Sequence, residues 1–124
     1  MTVQIQLPAE PGYAALLRSA VAVIAARCDL TYDRLEDARL AVDEAFAQVL
    51  GFASPGQQVT CSFEEAPGAL SFTIATLTSA HTPIPTDSFG WTVLSALADE
   101  LSAELADGRC AIHARVQEPQ AALA

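Results

Sequence analysis

The sequence is poor in positive charge, in cysteine and in long apolar runs, and each shortage removes a class of function. Six Lys and Arg stand against fifteen Asp and Glu, a formal net charge of -9. Such a surface repels phosphate backbones and offers no basic patch whose binding could release counterions. Direct nucleic-acid binding is therefore not expected, and a basic protein partner suits the charge better. The three cysteines, Cys28, Cys61 and Cys110, are odd in number, widely spaced and without a Cys-x-x-Cys pair. They are expected to be reduced and structural. His81 and His113 lie far apart with no cluster of ligands beside them, so no metal site is predicted. No apolar run approaches the roughly 18 residues of a membrane span, and MTVQIQLPAE lacks the basic-then-apolar order of a signal peptide. The expected setting is cytoplasmic, with no membrane contact.

What is present is a chain of 124 residues, 52% hydrophobic, enough for one core and not for two. Residues 1–117 are expected to form a single domain, with EPQAALA at 118–124 as a loose tail. Val3, Ile5 and Leu7 alternate with polar residues and predict an opening strand closed by Pro8. A helix over 11–28 follows, with Tyr13, Leu16, Leu17, Ala20, Val21 and Ile24 on its apolar face. A second helix begins near Thr31 to Asp33, buries Leu35, Ala38, Val42, Phe46 and Val49, and ends at Gly51, read as a left-handed cap. Strands near 59–64 and 70–76 flank a hairpin marked by Pro67-Gly68. After an aperiodic linker, LTSAHTPIPTD, a third helix is predicted over 89–105 with Leu94, Leu97, Ala98, Leu101 and Leu105 inward. Asp107-Gly108 then turns the chain into a last strand, 110–116. The order βααββαβ predicts an α/β (α+β) two-layer sandwich, a small mixed sheet of about four strands covered on one face by three helices.

Chemistry concentrates on the second helix, in RLAVDEAFAQVL, residues 39–50. At about 100° per residue Asp37, Ala41, Glu44 and Gln48 share one stripe opposite Val42 and Phe46. Two readings stay open from periodicity. The stripe is a solvated helix face, or, because Leu40 and Ala47 flank it, a carboxylate lining a cleft.

The run LPAEPGYAALLRSAVAVIAARCDLTYDRLEDARLAVDEAFAQVL resembles the N-terminal half of the bacterial anti-sigma-factor serine kinases, members of the Bergerat-fold (histidine-kinase-like) ATPase superfamily. Their second helix reads like KLAVSEACTNAV, and FGWTVLSALADEL resembles their later GLGLxLIxxLxDEV segment. The resemblance implies that Glu44 holds the position of the general base for phosphoryl transfer. It implies too that Gln48 replaces an asparagine that holds Mg²⁺, with an extra methylene that displaces the amide oxygen. Of the later phosphate-loop glycines only Gly90 stands, since Ser88 takes the other place and Phe89 and Trp91 replace leucines. The adenine-reading Asp-x-Gly loop has no counterpart in TLTSAHTPIPTD. Gln48 and Gly90 are thus the residual nucleotide-site residues and Glu44 a vestigial catalytic one. ATP or ADP with Mg²⁺ is the cofactor if that site works, and none is expected if it does not. Phe89 and Trp91 are read either as core packing at a helix start or as a plug in the former pocket.

The resemblance also implies partners: an RNA polymerase sigma factor, sequestered to repress transcription, an anti-anti-sigma antagonist that releases it, and a second copy in a homodimer. The alternative activity is ATP-dependent serine kinase, acting on the antagonist. On the first helix Arg18 lies among Ala14, Ala15, Ala22 and Ala25, a small-residue face where another backbone can come close. In the family an arginine at the matching place contacts both sigma factor and antagonist.

Overall fold

A computed structural model of the chain describes residues 1–119. Five strands carry the fold: β1 (Thr2–Pro8), β2 (Gln58–Ala66), β3 (Ala69–Leu77), β4 (Glu100–Ala106) and β5 (Arg109–Gln117). Among the described residues three helices accompany them: α1 (Ala14–Arg27), entered through a 3-10 turn at Pro11–Tyr13, α2 (Tyr32–Leu50) and α3 (Phe89–Leu97). The sheet order is β1-β2-β3-β5-β4, and every neighbouring pair is antiparallel. The α+β two-layer expectation holds, but the sheet has five strands rather than four and is not mixed.

Strand alternation sorts the two faces. Leu7, Val59, Cys61, Phe63, Leu70, Phe72, Ile74, Cys110, Ile112 and Val116 point inward and are buried with Leu17, Val21, Val42, Phe46 and Leu94 of the helices. The alternate residues, among them Gln4, Thr60, Thr73 and His113, form a polar outer face that no helix of the described residues covers, where Thr73 Oγ1 and His113 Nδ1 are hydrogen-bonded at 2.8 Å. α2 lies between the other two helices and packs on β3 and β5. Its start is fixed by Thr31, whose hydroxyl accepts from the Arg34 N–H at 3.5 Å.

The extra strand comes from the segment read as the second half of a long third helix. Leu94, Leu97, Leu101 and Leu105 fit helical spacing, but Leu101, Ala103 and Leu105 also fit period two, with Glu100, Ser102 and Glu104 outward. Asp107 and Gly108 decide between them. Both have positive φ, 53° and 73°, the geometry of a tight type I′ hairpin, which requires a strand on either side. α3 therefore stops at Leu97, and Ala98 is already extended.

Three local expectations also change. Gly51 caps α2 with φ -65°, a right-handed conformation, because its N–H still bonds back to Gln48 and Val49 of the helix. Leu16 is 57% exposed and does not belong to the α1 apolar face, while Ala25 does and is fully buried. Glu118, expected in the loose tail, is tied in: its N–H donates to Gly68 O at 2.8 Å and its carboxylate accepts from the Thr31 N–H. The remainder of that expected tail, 120–124, lies outside the described residues.

All three cysteines are free and buried. Burial pushes every one of these thiols above its ordinary range, Cys61 to about 12. The folded form binds these protons more tightly than the unfolded chain, so their contribution to stability is intact at neutral pH. It is lost as pH climbs from about 9 toward 12. A disulfide reagent such as DTNB at pH 8 should find no reactive thiol in the native chain and three after denaturation. One thiol titrating at once in the native chain would contradict the packing around β2 and β5.

Candidate functional site

α2 presents Glu44 and Gln48 one turn apart, both half-buried, and Gln48 Nε2 donates to Glu44 Oε1 at 3.2 Å. α3 lies directly on this pair. Its start is capped by Ser88, whose hydroxyl accepts from the Trp91 N–H at 3.1 Å. Gly90, in the first turn, faces α2. A methyl group there would sit 2.5 Å from Gln48 Nε2 and nearer still to Glu44 Oε1, well inside van der Waals contact. The glycine lets the two helices approach through the ends of a carboxylate and an amide side chain, which would have to turn aside for any larger residue there. The opening alternatives resolve toward neither open water nor an empty cleft: the Glu44 stripe faces the backbone of α3.

Arg18 is half-exposed, and its guanidinium is paired with Asp43 of α2 at 2.8 Å. Ala15, Ser19 and Ala22 of α1, with Glu36 and Arg39 of α2, complete a shallow cleft of about 410 Å³ beside it. Arg39 donates to Glu36 at 2.5 Å, and that hydrogen bond, reinforced by the carboxylate charge, raises the guanidinium above its ordinary value. Its Nε is buried without an acceptor among the described residues. Of the alanines expected around Arg18, Ala15 is exposed and Ala14 and Ala22 are half-buried, whereas Ala25 faces the core. Asp43 was not foreseen as a partner; nothing local in sequence links residue 18 to residue 43, since the contact is made only by the crossing of two helices.

A match to the histidine kinase-like ATPase domain family runs over residues 7–115. The chain belongs to that family. Among relatives it is 31% identical over 107 residues to the anti-sigma-F factor RsbW of Mycobacterium tuberculosis, which covers 86% of this chain and 63% of that protein. It is 36% identical over 56 residues to the serine-protein kinase RsbW of Listeria monocytogenes, 45% of this chain and 36% of the relative. The chain thus spans under two thirds of the length of these curated relatives. In three dimensions it matches the crystal structure of the RsbU and RsbW domains of a Mycobacterium tuberculosis protein with a TM-score of 0.73, over 94% of this chain and 32% of that one. At 14% identity that likeness speaks for the fold alone.

Membership of an ATPase-domain family raises the question of whether these residues fit ATP with Mg²⁺, and the arrangement speaks against it. The Gln48 amide nitrogen donates to Glu44 Oε1, a bond that does not use the amide oxygen a metal would need, but Gly90 brings α3 backbone onto both side chains, and the chain contains no asparagine to take the place of the glutamine. The aromatics correct an expectation as well. Phe89 is 83% exposed and plugs nothing, whereas Trp91 is half-buried against the core.

Proposed function

We propose that this member of the family is an anti-sigma factor that binds and sequesters an RNA polymerase sigma factor without using a nucleotide. Release then comes from an anti-anti-sigma antagonist competing for the same surface. The observation that carries the nucleotide-free part is the seat of Gly90 on Glu44 and Gln48. The relatives' names support the partner class, one being called an anti-sigma factor and another a serine-protein kinase. A cytoplasmic setting and a homodimer belong to the same proposal; among the described residues no helix is long and apolar enough to cross a membrane.

The deciding experiment is calorimetric titration of the purified chain, first with ATP and MgCl₂, then with the sigma factors of its own host expressed singly. Heat is expected with one sigma factor, at an affinity that added ATP leaves unchanged. Tight Mg-ATP binding, or transfer of labelled phosphate to a copurified antagonist that Glu44→Ala abolishes, would establish the serine-kinase alternative instead.

A further inference from the structure

α3 meets α2 at two places. At its start Gly90 rests on Glu44 and Gln48. Beyond its end, at the joint with β4, Asp99 meets the guanidinium of Arg34 from the first turn of α2. Arg34 makes more of this contact than a surface pair would. Its Nε donates to the Gln117 carbonyl at 3.0 Å and another nitrogen to Asp37 at 2.9 Å. Asp99 accepts from the Gln117 N–H at 2.9 Å, and its own N–H donates to the Arg115 carbonyl at 2.8 Å. One guanidinium therefore ties α2, the α3–β4 joint and the end of β5 into a single charge-assisted network, with an Arg34 side chain only 21% exposed.

Between these two ends α3 is held by Leu94 and by Trp91 and Leu97, which pack partly buried against the core. It is nine residues long, below the length at which a helix is stable by itself, and Leu94 is its one fully buried residue. Its position must come from its fastenings. We infer that Arg34 and Asp99 are positioning residues that keep α3 shut over Glu44 and Gln48, acting across the length of the helix from the opposite end of α2. Losing that pair leaves the sheet intact and lets α3 swing from α2. This rests on the geometry of α3 and not on the identity of any partner, so it stands or falls separately from the sigma-factor proposal.

The test uses Arg34→Gln, Asp99→Asn and the double variant, with Glu104→Gln, whose partners are Arg109 and His113, as a control that touches neither end of α3. Hydrogen exchange should accelerate about tenfold or more for amides of residues 91–98 while strands β2, β3 and β5 keep their protection. The emission of Trp91, the only tryptophan, should shift to the red, and Glu44 should become more reactive toward carbodiimide labelling. The double variant should add little to either single one, because both remove the same contact. If Arg34→Gln does not fold, Asp99→Asn decides, since its amide oxygen still accepts from the Gln117 N–H. Unchanged exchange in α3, or acceleration spread evenly over sheet and helices, would overturn the inference, as would an equal response in Glu104→Gln.

Discussion

Phe46→Ala is expected to cost about 3–5 kcal/mol of folding stability, against a typical total of about 5–15 kcal/mol for a domain. Phe46 is 1% exposed on the central helix, in the cluster formed by the inner face of the sheet and the helices, so its loss leaves a cavity that the close-packed core around it closes only in part. Phe89→Ala is the internal comparison. The same side chain, 83% exposed, should cost less than about 0.5 kcal/mol. Urea denaturation followed by circular dichroism measures both, and similar midpoints for the two variants would show that the core is not where the fold places it.

Arg18→Ala should weaken sigma-factor binding by about 2 kcal/mol or more, the range of an interface hot spot, which raises the dissociation constant roughly thirtyfold. The structure adds a condition absent from the sequence reading: Arg18 is already engaged with Asp43. That pair is more than a third exposed on both sides, so it contributes at most about 1 kcal/mol to folding and the variant remains folded for the measurement. A partner's acidic group must take the guanidinium from Asp43, or share it. As a hypothesis, sigma factor and antagonist then exclude one another on this surface. Surface-plasmon measurements with wild type and variant decide it, and a folded Arg18→Ala chain that binds its sigma factor as tightly as wild type would move the interface elsewhere.

Most of the fold was legible because its elements are locally marked. The opening strand alternates cleanly, α2 has a threonine cap and an unbroken apolar stripe, and Pro67-Gly68 lies between two apolar strands, with Gly68 at φ 73°. The fourth strand is hidden because Leu101 and Leu105 satisfy two periods at once, the helical one with Leu94 and Leu97 and the period of two with Ala103; the aspartate-glycine turn holds the answer once it is taken as a hairpin with a strand on either side. The site was legible only as a set of residues. Glu44, Gln48 and Gly90 do come together, yet that α3 sits on the pair, that Phe89 points to solvent and that Asp43 and Asp99 hold arginines are facts of helix crossing, with no signature within a few residues of any of them.

The hairpins β2–β3 and β4–β5 close over turns of two residues, but β1 finds its partner far away, Thr2 opposite Glu64 at a separation of 62 residues. Of these five strands the earliest in sequence is thus the one with the longest wait. Until β2 has been made, Val3, Ile5 and Leu7 have no ladder to join, and the loop they must close contains both α1 and α2. The helices and the two hairpins form from neighbours in sequence, whereas β1 can dock only on a sheet edge that already exists. Order of synthesis and order of assembly run opposite at this end of the chain, and an apolar edge strand is the part left exposed to wrong partners in the interval.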